Sequence, residues 1–181
     1  MTDDHLGMAD KRALLRQYLT ESGLTVMVET GIYDGDGSGI TLAPLLTRLV
    51  CCDIVEDNIN RYRERAAEQG LAAEMWHGSS AELMAAILAT IDEPAFIWLD
   101  AHEWKGEWGD NPNPSPLLHE LEAVTGWPHA AASTVVIDDI RLMEGSELAE
   151  PGWPSMAAIR ELAGSRWQWS EADDIIRLTP R

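Results

Sequence analysis

Short apolar runs punctuate the chain, and each closes on an acidic or small polar residue. Residues 25–28 lead into Glu29, 49–52 into Asp53, 95–99 into Asp100 and 134–137 into Asp138. Residues 73–76, before His77, Gly78 and Ser79, form a weaker run of the same kind. Helical stretches at 40–48, 58–69, 81–90 and 116–124 separate these runs, and a further helix at 9–22 precedes them, carrying Leu14, Leu15 and Leu19 at helical spacing before Gly23. Near-continuous apolar strands alternating with helices predict a parallel sheet covered on both faces. After Asp139 the pattern changes: a loop rich in Gly and Pro, a helix at 155–163, then two closely spaced strand-like runs, 166–170 and 174–179, that read as a hairpin. The expected fold is α/β, doubly wound and mostly parallel, with a C-terminal antiparallel hairpin strand. One domain is expected over residues 1–181, an N-terminal helix at 1–22 ahead of a core at 23–181, since no repeat, low-complexity tract or linker interrupts it.

This order makes the acidic residues informative, because the carboxyl ends of parallel strands share one rim, where open α/β sheets bind ligands. The first strand runs into Glu29, Thr30, Gly31, Ile32, Tyr33, Asp34, Gly35, Asp36, Gly37, Ser38 and Gly39. Glycines between a strand and a helix permit a tight turn and close approach of backbone to a ligand. Asp53, at the end of the next strand, is placed to accept hydrogen bonds from ribose hydroxyls. The spacing is not that of the GxGxxG fingerprint, and Asp34 and Asp36 would repel a pyrophosphate. A cofactor without phosphate and with cationic groups, S-adenosylmethionine, suits the turn better; an ordinary glycine turn with surface acids is the plainer alternative.

At the next two strand ends, Asp100, Asp138 and Asp139 would converge. Clustered carboxylates repel one another, and a hard divalent cation such as magnesium relieves the repulsion while leaving positions for water and substrate oxygens. Such an ion lowers the pKa of a bound hydroxyl. Capping of the following segment by Asp138 or Asp139 is the alternative. His102 and Lys105, just beyond Asp100, are the nearest candidates for a general base; His77 and His119 are expected to have no catalytic role. Residues 103–115, with Trp104, Trp108 and several Gly and Pro, have turn composition, and their tryptophans would either wall an acceptor site or pack the loop onto the sheet.

Glu29-Thr-Gly31-Ile-Tyr33-Asp-Gly35 resembles motif I of the class I S-adenosylmethionine-dependent methyltransferases, in particular the metal-dependent branch similar to catechol O-methyltransferase. The resemblance implies a Rossmann-like sheet. It gives Glu29, Gly31, Tyr33 and Gly35 to the methionine end of the cofactor site, Asp53 to the ribose, and Gly78, Ser79 and Ser80 to the adenine, with Asp100 also lining the cofactor. It makes Asp100, Asp138 and Asp139 the metal ligands, with Asp139 where the branch often has Asn. A Leu-Asp-Ala-His stretch similar to residues 99–102 occurs in some bacterial and phage methyltransferase-like proteins, which favours His102 as base; the lysine of the catechol-type enzymes would correspond to Lys105, one residue further along than usual. The branch's additional N-terminal helices are not matched, so the acceptor site would be open, completed by the 103–115 loop, or completed by a second copy in a homodimer. The implied activity is methyl transfer to a hydroxyl of a small-molecule acceptor. A non-catalytic module binding S-adenosylmethionine or S-adenosylhomocysteine, a metal-independent methyltransferase and a nucleotide-using enzyme are the alternatives.

Composition narrows the partners. The 181 residues hold 31 Asp and Glu against 13 Lys and Arg, a formal net charge of −18. Such a surface repels phosphate backbones and anionic lipid, so neither nucleic acid nor membrane is expected as a partner. The polar, acidic start lacks the layout of a signal peptide, and a cytoplasmic location is expected. Cys51 and Cys52, adjacent on a strand, point to opposite faces and are expected to be buried, inert thiols.

Overall fold

The computed structural model describes residues 8–33, 37–102, 115–146, 149 and 151–181. Helix α1 (Met8–Ser22) precedes strand β1 (Val26–Thr30), helix α2 (Ser38–Leu42), strand β2 (Arg48–Asp53), helix α3 (Glu56–Glu68), strand β3 (Ala73–His77) and helix α4 (Ser80–Leu88). Strand β4 (Phe96–Leu99), helix α5 (Leu117–Gly126), strand β5 (Thr134–Ile137), helix α6 (Met156–Ala163), and strands β6 (Trp167–Ala172) and β7 (Ile175–Pro180) follow. All seven strands form one sheet in the order β3-β2-β1-β4-β5-β7-β6. The first five are parallel to one another; β7 runs antiparallel to both β5 and β6. This is the doubly wound sheet with an antiparallel C-terminal hairpin that the alternation of elements predicts.

The central strands are apolar throughout because both of their faces are covered. One face packs Val28, Val50, Ile97 and Val135 against Ile87 of α4, Leu121 of α5 and Ile159 of α6. The other packs Met27, Leu49 and Trp98 against Leu15 of α1, Ile40 of α2 and Tyr62 of α3. Cys51 lies in the second layer and Cys52 in the first, both free and buried, as alternation along a strand requires. Burial raises both thiols well above their ordinary pKa. No described helix is long and apolar enough to cross a membrane.

One expected element differs. The helix expected at 40–48 starts at Ser38 and stops at Leu42; a 3-10 turn occupies Ala43–Leu45, and Arg48 already belongs to β2. Pro44 lacks the N–H that a longer helix would need, so the segment tightens and turns into the strand. At the hairpin, Ala172 pairs with Ile175, and both intervening residues, Asp173 and Asp174, have positive φ (52° and 69°). Two-residue turns of this hand match the strand twist, and Asp tolerates the conformation better than most residues.

The crossing from β1 to the rim depends on Gly31. Its φ is +73°, and a Cβ there would lie 2.7 Å from the Asp100 carbonyl oxygen, which belongs to rigid backbone. We predict that Gly31→Ala destabilises the protein by about 2–4 kcal/mol, the sum of left-handed strain and a backbone clash. Urea unfolding measures this, and a loss below about 0.5 kcal/mol would show that the β1 and β4 ends are not held this close.

Candidate active site on the carboxyl edge of the sheet

Asp53 closes β2 and is almost fully buried. Its Oδ2 accepts from the Ile32 N–H (2.9 Å), and its Oδ1 accepts from the Val55 N–H (2.7 Å) and the Asn58 side-chain amide (3.2 Å). A carboxylate offers about four acceptor positions, so one remains, on Oδ2. Asp53 thereby fixes both the turn after β1 and the start of α3. Gly78 is joined to the same place, its N–H donating to the Asp53 carbonyl at 2.9 Å. Gly78 has φ +143°, Ser79 caps α4 by position, and Ser80 is buried in the first turn. The residues expected around ribose and adenine therefore lie on neighbouring strand ends. Tyr33, with φ 42°, is 81% exposed above them. Gly35 and Lys105 lie outside the described residues, as do Trp104 and Trp108.

Glu29 is wholly buried and faces inward. Its carboxylate accepts from the Ser38 N–H (2.5 Å), the Gly39 N–H (3.1 and 3.2 Å) and the Tyr62 hydroxyl (2.6 Å). It thus terminates the free N–H groups of α2 and sets the path of the glycine turn. Gly37 and Gly39 leave room for it: a Cβ at Gly39 would lie 2.6 Å from the Tyr62 hydroxyl and 2.8 Å from Glu29 Oε2. Burial raises the Glu29 pKa to about 7, against the pull of those three donors.

The acids at the ends of β4 and β5 do not form the single trio expected. Their donor atoms gather in two groups, each within 4.8 Å: Asp100, His102 and Asp139 in an outer group, and Asp138, Asp139 and Asp174 in an inner one. Asp139 belongs to both because its φ of 63° turns the chain sharply after β5. The inner group is filled by protein cations. Lys11 of α1 places its Nζ 2.5 Å from Asp138 Oδ1, 3.3 Å from Asp174 Oδ2 and 3.4 Å from Asp139 Oδ1. Arg141 pairs with Asp139 Oδ1 at 2.5 Å and with Asp174. The Asp138 oxygen that meets Lys11 also accepts from the Asp139 N–H at 2.8 Å. An ion shared by Asp100, Asp138 and Asp139 would therefore have to displace an ammonium.

The outer group keeps the better fit. His102 Nδ1 lies 3.3 Å from Asp139 Oδ2 and 4.0 Å from Asp100 Oδ1. Donors about 2.1 Å from one ion stand roughly 3.0–4.2 Å apart, so these spacings suit a shared cation. A small cavity of about 10 Å³, lined by Asp100, His102, Glu120, Asp138, Asp139 and Trp153, adjoins them, the room that about one water takes. The Trp153 ring lies 5.5 Å from the His102 ring at a 50° tilt. Burial, then repulsion from Asp138 and Asp139, raises the Asp100 pKa well above the carboxylate range. Burial and repulsion from Asp139 likewise raise Asp138 to about 6, although Lys11 opposes them.

Reading the sequence missed Lys11, Asp174, Arg141, Glu120 and Trp153. Lys11, Asp174 and Glu120 carried a signal. Lys11 falls on the buried stripe of α1 with Leu15, Tyr18 and Leu19, where a charged residue needs a partner. Asp174 immediately precedes β7, and a strand antiparallel to β5 must start on the rim where β5 ends. Among the described residues, His77 meets the Ile54 carbonyl through its Nε2 and not the acids of the rim.

Glu120 of α5 shares the buried stripe of Leu117, Leu121 and Val124. Burial raises its pKa to about 7, with the nearby hydroxyls of Ser80 and Thr30 pulling the other way, and neither oxygen has a well-formed hydrogen bond among the described residues. An acid raised on folding holds its proton where the unfolded chain has released it. Its contribution to stability therefore falls as pH climbs from about 4.5 to about 7 and is level above that. We predict that Glu120→Gln, which cannot titrate, gains stability relative to the native chain over this window, by on the order of 3 kcal/mol between pH 4.5 and pH 8. Urea unfolding of both proteins across that range measures it; parallel curves would mean that Glu120 titrates normally.

No protein-family model matches the sequence, and neither does any curated protein sequence. Solved structures do match in shape. An O-methyltransferase from Bacillus cereus, in complex with S-adenosylhomocysteine, superposes with a TM-score of 0.63 at 18% identity, covering 97% of this chain and 83% of that one. The N-methyltransferase NodS from Bradyrhizobium japonicum gives 0.64 at 15% identity, over 99% and 100% of the two chains. An S-adenosylmethionine-dependent methyltransferase from Clostridium acetobutylicum gives 0.61 at 8% identity, over 96% and 91%. At such identities the likeness is one of fold, and that fold is the class I S-adenosylmethionine-dependent methyltransferase fold.

Proposed function

We propose that this protein is an S-adenosylmethionine-dependent methyltransferase acting on a hydroxyl of a small molecule. The observation that carries this reading is the row of strand ends. Asp53, with one acceptor position left over, stands beside the Gly31 turn, and the Asp100–His102–Asp139 group lies two strand ends away. A sulfonium and an ammonium suit this acidic edge, whereas a pyrophosphate would be repelled by it. In the transfer, the acceptor oxygen forms a bond to the methyl carbon as the carbon–sulfur bond breaks, and the electron pair leaves with sulfur. Holding oxygen, carbon and sulfur in line supplies much of the acceleration.

Asp100, His102 and Asp139 would hold a divalent cation, which when bound supplies polarisation of the acceptor hydroxyl. A nitrogen donor in that set moves the preference from magnesium toward manganese or zinc. A second reading is metal-independent and rests on the 3.3 Å approach of His102 Nδ1 to Asp139 Oδ2. There Asp139 orients the imidazole, and His102 takes the hydroxyl proton as general base. Asp100 lines the acceptor side in both readings. The neighbouring folds include an N-methyltransferase, and an amine acceptor is the result that would correct the hydroxyl assignment.

Calorimetry with S-adenosylhomocysteine tests cofactor binding. We expect Asp53→Asn to weaken it at least tenfold (about 1.4 kcal/mol) and Asp100→Asn to leave it within about threefold. With a panel of phenols, catechols and sugars, Asp100→Asn is expected to lower turnover by about 100-fold or more. Turnover surviving exhaustive chelation selects the metal-independent reading. Native protein that fails to bind S-adenosylhomocysteine would reduce the likeness to one of fold alone.

A further inference from the structure

Lys11, one of two lysines in the chain, is buried at the carboxyl edge, 6% exposed. Its ammonium reaches three carboxylates that come from two distant places: Asp138 and Asp139 after β5, and Asp174 at the hairpin turn. Three contacts match the three donors of an ammonium. Arg141 completes the arrangement from the opposite side, its backbone N–H donating to Asp174 Oδ1 at 2.7 Å and its guanidinium meeting Asp139 and Asp174. Burial alone would favour loss of the Lys11 proton, but the three acids outweigh it and raise its pKa above the ordinary value.

We propose that Lys11 is a tethered cation that occupies the inner half of the acidic rim in place of a divalent ion. The three carboxylates around it are spaced as metal ligands are, within 4.8 Å of one another. Two of them, Asp138 and Asp139, are among the three residues that the family resemblance gives to a metal. The ammonium supplies one fixed charge there, cannot be chelated away, and comes from α1, so the charge of the inner group depends on that helix being docked. Any exchangeable cation is then confined to Asp100, His102 and Asp139. Lys11 is a positioning residue: it holds Asp138 and Asp139 and thereby sets which Asp139 oxygen is left for His102. This charge arrangement stands independently of the methyltransferase reading; only its bearing on turnover rests on that reading.

The test is metal stoichiometry, read by manganese titration with electron paramagnetic resonance, with no cofactor or acceptor present. Lys11→Met removes the ammonium and retains most of the apolar stem. It is expected to bind one more Mn²⁺ per chain than the native protein, and the gain is expected to disappear in Lys11→Met/Asp174→Asn. Equal stoichiometry in Lys11→Met and native protein would overturn the proposal. Should Lys11→Met not fold, Asp174→Asn in the native background answers the same question. The proposal expects unchanged Mn²⁺ stoichiometry, whereas loss of a bound ion would show that Asp174 ligates metal in the native protein and that Lys11 does not replace it. Binding of S-adenosylhomocysteine, followed separately, reports on the function reading and not on this one.

Discussion

The meeting of Lys11 with Asp138, Asp139 and Asp174 is the constraint on which the working edge of this molecule depends. Removing one member of such a buried group leaves the others charged and unpaired, at a cost typically of about 3–5 kcal/mol. The contact joins the N-terminal helix, the end of β5 and the tip of the C-terminal hairpin, segments far apart in sequence. Apolar packing of Leu15 and Leu19 holds α1 on the sheet, contributing about 1.5–3 kcal/mol each, but hydrophobic burial is non-directional. The ammonium adds direction. It fixes which turn of α1 lies over the rim, and it makes antiparallel entry of β7 useful, since only that direction brings Asp174 beside Asp138 and Asp139.

A second buried acid organises the other half of the edge by different means. Among the described residues Glu29 has no ion pair of comparable closeness; it is met by two backbone N–H groups and a tyrosine hydroxyl. Those donors belong to α2 and α3, so the carboxylate couples the glycine turn to both helices on one face of the sheet. Its oxygens are directed at protein, so what Glu29 sets is the shape of the loop. Asp53 stands between the two cases: three of its four acceptor positions build the fold and one is left over. The three acids closing β1, β2 and β5 thus share a chemical type and a position while differing in how much of each remains for a ligand.

Much of this was legible in the sequence, for a definite reason. Buried parallel strands are apolar on both faces, so the first acid after each run marks where the strand leaves the core; Asp53, Asp100 and Asp138 were found in this way. The extent of the helix after the glycine turn was not, because its apolar residues continue past Pro44 while its hydrogen bonding does not. Nor was the division of the strand-end acids into two groups. That division depends on Lys11, whose partners lie more than a hundred positions away, and on the left-handed backbone at Asp139, which a sequence does not display. Glu120 was hidden by the habit of assigning helix acids to solvent. Its place on the stripe of Leu117, Leu121 and Val124 was the sign that it faces inward.

On the proposed reading, the edge must meet two opposed electrostatic demands. A sulfonium cofactor is drawn by negative charge, while an acceptor hydroxyl losing its proton is repelled by it. A uniform row of bare carboxylates would serve the first and oppose the second. The inner group is nearly balanced, three carboxylates against Lys11 and Arg141, whereas Asp100 makes no ion pair with either cation. The carboxyl left without a fixed cation is therefore Asp100, whose pKa is raised first by burial and then by Asp138 and Asp139, and His102 stands between it and the balanced group. A divalent cation arriving at this group is directed to Asp100, His102 and Asp139 and not to Asp138, because Lys11 already occupies the Asp138 side. The fixed cations thus define the place for chemistry by filling the alternatives to it.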